Sequence, residues 1–335
     1  MEFYSLPLQQ QQDSLLELAE KSLSLWNMSG KLRLIKHREN AVFSLETKDG
    51  ERYALRVHRA GYHSNKALMS ELQWINALKE YGLGVPKVIP TCTGDYFALI
   101  ETESVPESRQ VDLFAWVTGE QMGSIEDGLK NDPATIRDNY LMMGQQAAKL
   151  HDQAINWALP ENFERHAWDI EGLVGESPFW GPFWELEVLT SKQRGRILDA
   201  RESVRQGLLA FGQSSDDYSM IHADFVPENF LVEGRHVNII DFDDAGFGWH
   251  LFELATALFF IQEDPHYAVA QQALIEGYRQ VRELSDQKLK HLPLFMVARS
   301  FTYLGWVHTR SETETAKELT PWLVMMSLNT INKYM

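Results

Sequence analysis

The segment IHADFVPENFLVEGRHVNIIDFDDAGFG, residues 221–248, places acidic and amide side chains between apolar runs. Short apolar runs at 230–232 and 239–240 predict two buried strands, and the Glu-Gly-Arg sequence at 233–235 predicts the turn between them. We therefore expect a hairpin that brings the residue before its first strand close to the residue after its second.

The polar residues at the ends of this hairpin suit a metal site. Asn229 precedes the first strand, Asp241 follows the second, and Asp243 lies two residues farther along. Amide and carboxylate oxygens are the ligands that Mg²⁺ prefers. Asp224, on the loop before Asn229, is then available to act as a base or to orient a hydroxyl nucleophile.

The pattern H-x-D-x-x-x-x-N followed by D-x-D resembles the catalytic loop and metal-binding segment of the kinase-like phosphotransferases, the aminoglycoside phosphotransferase, choline kinase and type II homoserine kinase group. The resemblance implies that Asp224 is the catalytic aspartate and that Asn229 and Asp241 bind the metal. Asp243 takes the place of the glycine in the D-F-G motif of protein kinases, and we include it among the candidate metal-binding residues. In the small-molecule branch an acidic or small residue often occupies that position.

Upstream segments follow in the order that this group implies. Arg56 stands where the group has a strand lysine, and Glu71 stands where a helix glutamate would pair with it. Arginine can contact phosphates bidentately, which is a different geometry from that of lysine. Residues 113–120 resemble the hinge that offers backbone groups to adenine, and we assign Trp116 and Val117 to nucleotide binding on that resemblance.

Further parts of the chain extend the resemblance from residue 33 to residue 260. Residues 38–43, RENAVF, take the place of the phosphate-covering loop but contain no glycine. Leu150-His151 resembles the end of a family helix, and HLFELATALFF at 250–260 resembles the helix after the metal segment. The resemblance implies an ATP-dependent kinase that uses Mg²⁺ and an alcohol group as acceptor.

The hydrophobic pattern predicts an α+β chain, and the resemblance implies a bilobal, protein-kinase-like fold. Residues 1–115 would form an N-lobe with an antiparallel sheet and a helix that covers the nucleotide, and residues 116–335 a larger, mainly helical C-lobe. Strands are expected at 32–47, 52–58, 96–100 and 112–120, with the Asp-Gly pair at 49–50 as a hairpin signal. Helices are expected at 14–26, 64–81, 140–154, 191–211, 250–261, 265–282, 286–310 and 315–334, with an irregular connection at 159–182.

Composition narrows the set of partners and compartments. The 335 residues carry a net charge of -16, which disfavours nucleic acid and anionic membranes. A single cysteine, Cys92, excludes an internal disulfide and fits a reducing compartment. The chain starts without the pattern of a signal peptide and contains no apolar run of membrane-spanning length. We expect a cytoplasmic enzyme without nucleic-acid or membrane partners, and nothing in the sequence indicates an oligomeric state.

A small acceptor is favoured over a peptide. The chain passes within a few residues from Asp241 into the apolar helix at 250–261, which leaves no room for the activation segment that holds peptides in protein kinases. Carboxylates of the C-lobe would attract an amine-bearing alcohol, an amino sugar or a hydroxy amino acid, or else only solvate a surface loop. These are Glu161, Glu164, Asp169, Glu171, Glu176, Glu185 and Glu187.

Three alternative functions stay open at this point. A serine/threonine protein kinase of the same fold would use the same catalytic residues. A metal-dependent hydrolase would use His222 with the aspartates, although such sites usually contain several histidines. A non-catalytic nucleotide-binding protein is suggested by Arg56 and by the missing glycines. The chain contains no G-x-x-x-x-G-K-[ST] motif for phosphate binding.

Overall fold

The computed structural model describes residues 3–37, 40–124, 128–129, 132–234 and 236–335. Arg38 and Glu39 of the expected phosphate-covering loop, and Arg235 of the expected hairpin turn, lie outside these residues. The described chain folds into two compact units. One unit comprises residues 1–120, 159–164 and 231–240, and the other comprises 121–158, 165–230 and 241–335.

The first unit is built on a five-stranded antiparallel sheet with the strand order β1-β2-β3-β5-β4. Its buried face carries apolar side chains of alternate residues, such as Phe43 and Leu45, because successive side chains of a strand point to opposite faces. Leu18 of the N-terminal helix packs into the same core. The elements are α1 (Leu8–Ser22), β1 (Gly30–His37), β2 (Ala41–Thr47), β3 (Arg52–Val57), α2 (Asn65–Tyr81), β4 (Phe97–Ile100) and β5 (Arg109–Ala115).

Two strand boundaries differ from the sequence expectation. The run expected at 32–47 is two strands, β1 and β2, that pair with each other. The strand expected at 112–120 ends at Ala115. Its antiparallel partner β3 begins at Arg52, and the last residue pair between the two strands is Tyr53 with Ala115, so their pairing ends at that point. The expected Asp-Gly turn does join β2 to β3, with Gly50 in the left-handed region at φ +82°.

Helix α2 has the ends that its sequence predicts. The Ser64 hydroxyl accepts the amide of Ala67 at 3.0 Å and caps the first turn, while Gly82 ends the helix at φ +95°. The apolar residues of the predicted stripe, Leu68, Leu72, Ile75 and Leu78, are all buried. One buried acid, Glu71, lies among them.

The second unit is mainly helical and contains a small sheet with the strand order β7-β11-β8. Its helices are α3 (Pro133–Asn156), α4 (Ile170–Val174), α5 (Ser191–Phe211), α6 (His250–Phe259), α7 (Tyr267–Arg279), α8 (Asp286–Leu289), α9 (Leu292–Thr309) and α10 (Glu314–Tyr334). The remaining strands of the chain are β6 (Glu120–Gln121), β7 (Ala167–Trp168), β8 (Tyr218–Ile221), β9 (Phe230–Glu233), β10 (His236–Ile239) and β11 (Gly246–Trp249). Of the helices in the described ranges, none combines the length and apolar character that crossing a membrane requires.

The helix expected at 286–310 is interrupted. It forms α8 and α9, and Pro293 lies in the first turn of α9. Proline has no amide hydrogen to donate to a preceding turn, so it is tolerated at a helix start and disfavours a continuous helix through this point.

Helices α3 and α7 approach each other at two glycines. A Cβ atom added at Gly277 would lie 1.9 Å from the carbonyl oxygen of Leu141, and one added at Gly144 would lie 2.0 Å from that of Leu274. Both distances are far shorter than van der Waals contact. The two helices can therefore pack backbone against backbone only because neither position carries a side chain.

We expect Gly277→Ala to lower the free energy of unfolding by about 1–3 kcal/mol, because the added methyl group forces α3 and α7 apart. Gly195→Ala is the matched control: Gly195 lies in the interior of α5 with open space around the added Cβ. The control should raise the stability by about 0.5–1 kcal/mol, since alanine favours the helix. Urea unfolding followed by circular dichroism measures both, and equal stability of Gly277→Ala and wild type would contradict this packing.

Candidate active site

The loop at residues 222–229, which carries Asp224 and Asn229, starts with a strained turn that a buried acid holds in place. Strand β8 ends at Ile221, and Ala223 adopts the left-handed conformation at φ +63°. The Glu253 carboxylate on α6 accepts the backbone amides of His222 at 2.7 Å and Ala223 at 2.8 Å. His222 Nδ1 then accepts the backbone amide of Asp224 at 3.2 Å. These bonds fix the backbone immediately before Asp224.

The carboxylate of Asp224 is held at both oxygens and is still reachable from solvent. Its Oδ2 accepts the side-chain amide of Asn229 at 2.9 Å, and its Oδ1 lies 3.4 Å from Nη2 of Arg299. The side chain keeps 28% of its surface exposed. An oriented, accessible carboxylate of this kind can accept the proton of a hydroxyl group.

The amide of Asn229 is oriented by the same contacts. Its nitrogen donates to both the backbone oxygen of Asp224 at 2.8 Å and the carboxylate. The amide oxygen is on the other side of the planar group and is thus presented away from Asp224. That is the atom of an asparagine that binds a cation.

The segment around Asp241 is anchored through its neighbours. Asp241 is exposed and left-handed at φ +66°, whereas Phe242 is buried with its ring edge-on to that of His222 at 4.6 Å. A left-handed aspartate costs about 1 kcal/mol or more and persists where the surroundings impose it. The packing of Phe242 against His222 therefore connects the Asp241 segment directly to the loop that carries Asp224.

Arg165 fixes the backbone after Asp241. Its Nη2 donates to the carbonyl oxygen of Asp243 and its Nε donates to that of Ala245, both at 2.6 Å. The Asp243 side chain is buried. Asn229, Asp241 and Asp243 together supply one amide and two carboxylate groups, a donor set that fits Mg²⁺.

Arg56 of the sheet unit is a buried ion-pair centre. Its Nη2 lies 2.7 Å from Glu71 Oε1 and 2.6 Å from Asp112 Oδ2, and its Nε donates to Asp112 Oδ1 at 3.1 Å. His58 Nε2 lies 2.9 Å from Asp112 Oδ2. The pair with Glu71 is therefore buried rather than an ordinary surface ion pair, and Asp112 holds the guanidinium side-on through two bonds.

The charges of this cluster control the ionisation of Asp112. Burial alone would raise its pKa, but the charges of Arg56 and His58 and their hydrogen bonds lower the pKa to about 2. Because this folded value lies below the ordinary one, Asp112 contributes stability above pH 3.8, and the contribution is lost as the pH falls toward 2.

Trp116 and Val117, the two residues expected to contact adenine, differ in their surroundings. Trp116 donates its backbone amide to the carbonyl oxygen of Arg52 at 3.1 Å, and its ring lies 3.9 Å from the guanidinium carbon of the same residue. Its amide is therefore used within the sheet. Val117 follows as a partly buried residue beyond the end of β5.

The sequence interpretation missed Asp112, His58 and Arg299. Asp112 is an acid within the apolar strand RQVDLFA, and Arg299 is a base within the apolar helix LPLFMVARSFTYLGWV. A lone charge in a buried element needs a partner. A single charged residue in an apolar element could have identified Asp112 and Arg299 as residues with buried partners, but the sequence does not show which residues those partners are.

Two stacked histidines, His151 and His250, are buried in the helical unit. The rings of His151 and His250 are 4.0 Å apart and nearly parallel, and His151 Nδ1 lies 3.0 Å from the Tyr278 hydroxyl. Burial lowers the pKa of both imidazoles well below the usual value, so both are neutral at pH 7. Burial also raises the pKa of Glu253, and this effect outweighs the opposite effect of the hydrogen bonds from His222 and Ala223, so that the net pKa is about 7.

Comparison with known proteins gives a consistent result. A family model described as the phosphotransferase enzyme family matches residues 31–284. The amicoumacin kinase of Bacillus subtilis (strain 168) is 22% identical over 312 residues, which cover 90% of this chain and 87% of that protein. A microcompartment-associated aminopropanol kinase structure has a TM-score of 0.81 and 28% identity and covers 94% of this chain and 95% of its own.

A second solved structure, the amicoumacin kinase hAmiN in complex with AMP-PNP, Ca²⁺ and Ami, has a TM-score of 0.74 and 19% identity. It covers 93% of this chain and 92% of its own. These findings confirm the expected family resemblance and the α+β, protein-kinase-like fold class.

We expect Glu253→Gln to remove part of the pH dependence of stability. The raised pKa means that the folded protein keeps a proton that the unfolded chain releases, so wild-type stability falls as the pH rises from 4.5 through about 7. Between pH 4.5 and 8 the wild type should lose up to about 3 kcal/mol more than Glu253→Gln. Urea unfolding at each pH measures the difference. Glu202→Gln, on the exposed side of α5, should keep the wild-type slope, and the same slope in Glu253→Gln would contradict the buried carboxyl.

Proposed function

This chain belongs to the phosphotransferase enzyme family, and we propose that it uses ATP to phosphorylate the hydroxyl group of a small, amine-bearing molecule. The observation that carries the proposal is the Asp224 carboxylate, which Asn229 and Arg299 orient while its surface remains accessible. Phosphoryl transfer depends mainly on positioning and electrostatics, and a fixed carboxylate supplies the positioning.

Asp224 would accept the proton of the acceptor hydroxyl. The acceptor oxygen forms its bond to the γ-phosphorus, the bond from that phosphorus to the bridging oxygen breaks, and ADP leaves with the bonding electrons. The proton passes to the carboxylate of Asp224. The orientation of both carboxylate oxygens limits the directions from which a hydroxyl can donate, which favours in-line attack.

The residues for nucleotide and metal follow from the same proposal. Asn229, Asp241 and Asp243 would hold Mg²⁺, which when bound offsets the charge of the nucleotide phosphates. Arg56, paired with Glu71, would contact phosphate, and Trp116 and Val117 would contact adenine. Because the amide of Trp116 bonds to Arg52, Val117 is the better candidate for a backbone donor to the base.

A small acceptor agrees with the length of the segment after Asp241. Helix α6 begins at His250, and β11 occupies residues 246–249, so only a short turn separates the Asp241 segment from regular structure. A peptide acceptor in protein kinases rests on a much longer segment at this point.

Some of the acidic side chains expected to attract an amine have structural partners. Asp169 caps α4, Glu171 accepts the amides of Glu176 and Ser177, and Glu176 pairs with Arg201 at 2.7 Å. The net charge of -16 and the aminopropanol acceptor in the name of a relative are what support an amine. The cytoplasmic location and the lack of nucleic-acid and membrane partners remain predictions.

We expect Asp224→Asn to bind nucleotide but to lose phosphoryl transfer, by about 10²–10⁴-fold, because the amide cannot accept the proton. Asp241→Ala should lose both functions because it removes a metal ligand. Thermal shift with ATP, with and without Mg²⁺, reports binding, and ADP release reports transfer. Full turnover in Asp224→Asn would show that the assigned role is wrong.

For the acceptor, we expect hydroxylated amines to outperform proteins. Aminopropanol, homoserine, choline and an aminoglycoside would be compared with casein in a coupled ADP-release assay, with Asp224→Asn as the background control. At least one small amine should give the larger kcat/KM. Strong phosphorylation of casein without turnover of any small acceptor would instead indicate a protein kinase.

A further inference from the structure

Arg299 is a cation buried in the interior of the helical unit. It lies in α9 with 0% exposure. Its Nη2 donates to the Tyr303 hydroxyl at 2.7 Å and lies 3.4 Å from Oδ1 of Asp224. Across the described ranges, its Nε and Nη1 have no hydrogen-bond acceptor.

This burial is unfavourable for stability. Removal of a guanidinium from water costs free energy, and the N–H groups of two nitrogens without an acceptor add to that cost. An apolar side chain of similar length would fill the same space without it. Within the described residues, the carboxylate at ion-pair distance from Arg299 is that of Asp224, and the charge of Arg299 also acts on the buried Glu253, whose pKa it lowers. An apolar residue could not provide these charge interactions.

Aromatic rings fix the guanidinium from several sides. Its central carbon lies 4.2 Å from the ring centroid of Tyr303, 5.1 Å from that of Trp180 and 5.4 Å from that of Phe252. Such contacts attract a cation and restrict its plane. Trp180 comes from the connection at 159–182 and packs edge-on against Trp168 at 5.1 Å, so this connection supplies one wall of the Arg299 site.

We propose that Arg299 is a positioning residue that fixes the orientation of the Asp224 carboxylate. The inference rests on the proposed function of Asp224 as proton acceptor. Asn229 holds Oδ2 and Arg299 attracts Oδ1, so rotation of the carboxylate is opposed at both oxygens. At 3.4 Å the attraction is mainly that of charge, and Oδ1 retains lone pairs for the acceptor hydroxyl.

The main test is a double-mutant cycle on the rate of transfer. Arg299→Met should lower kcat by about 10²-fold, since small misplacement of a catalytic group has that effect. Its KM for ATP should stay within about twofold of wild type, because nucleotide binding does not involve Arg299. Single-turnover transfer from radiolabelled ATP to the best acceptor of the panel detects the slow variants.

In the Asp224→Asn background, Arg299→Met should lower the rate of phosphoryl transfer by no more than about a further threefold. The reason is that a positioning residue acts only through the Asp224 carboxylate, which that background already lacks. A purely structural role would reduce the rate by the same factor in both backgrounds. Multiplicative losses, or a kcat of Arg299→Met close to that of wild type, would overturn the positioning role.

Matched variants separate positioning from folding. Arg310 is a second buried arginine at the end of α9, with its guanidinium 5.2 Å from the Trp306 ring, and Arg310→Met should leave kcat unchanged. If Arg299→Met does not fold, Arg299→Lys and Tyr303→Phe carry the test, since each weakens the fixed geometry and retains charge or packing. Each should lower kcat only where Asp224 is present, and equal losses in both backgrounds would overturn the inference.

The result also distinguishes this inference from the proposed function. A wild-type enzyme that phosphorylates no acceptor would overturn both. An active wild type that loses turnover in Asp224→Asn, combined with multiplicative losses in the cycle, would leave the proposed function intact and remove the positioning role of Arg299.

Discussion

The position of Asp224 depends on two hydrogen bonds between the Glu253 carboxylate and the backbone amides of His222 and Ala223. Ala223 is left-handed, a conformation that costs an alanine about 1–2 kcal/mol, and bonds from amides to a carboxylate can offset that cost. Glu253 lies in the first turn of α6, and its burial raises its pKa to about 7, so the carboxyl group carries a proton over part of the neutral pH range. Every residue of α6 is buried, which holds the acid in place. The buried helix α6 therefore places the Glu253 carboxyl group against the strained turn at His222 and Ala223.

Ionisable groups are buried in both units. In the sheet unit, Asp112 and Glu71 lie against the guanidinium of Arg56, and the pKa of Asp112 is lowered to about 2, so that this carboxylate is ionised at neutral pH. In the helical unit, Arg299 faces Asp224 while two of its nitrogens, Nε and Nη1, lack acceptors within the described residues. Buried charges of this kind contribute little net stability, since desolvation cancels much of the attraction. The presence of these buried charges is better explained by the fixed positions that they give to the side chains they contact.

Features that depend on residues close together in the chain could be predicted from the sequence, whereas features that depend on residues far apart in the chain could not. Asp224 and Asn229 could be singled out because they belong to one local motif, five residues apart, and the structure shows that their side chains are in contact. Asp112 and Arg299 were missed because their partners lie 56 and 75 residues away, and no local pattern encodes such pairings. Helix α2 was predicted almost to the residue since its cap and its glycine end are local signals. The end of β5 was not, because strand pairing sets it.

We propose that a fixed Asp224 carboxylate receives the proton of a small acceptor hydroxyl, and a crystal structure with AMP-PNP, Mg²⁺ and the best acceptor would show whether it does. We expect the acceptor oxygen within about 2.6–3.2 Å of an Asp224 carboxylate oxygen and in line with the γ-phosphorus. An acceptor hydroxyl that bonds to another side chain, with Asp224 turned away from it, would rule out this role for Asp224.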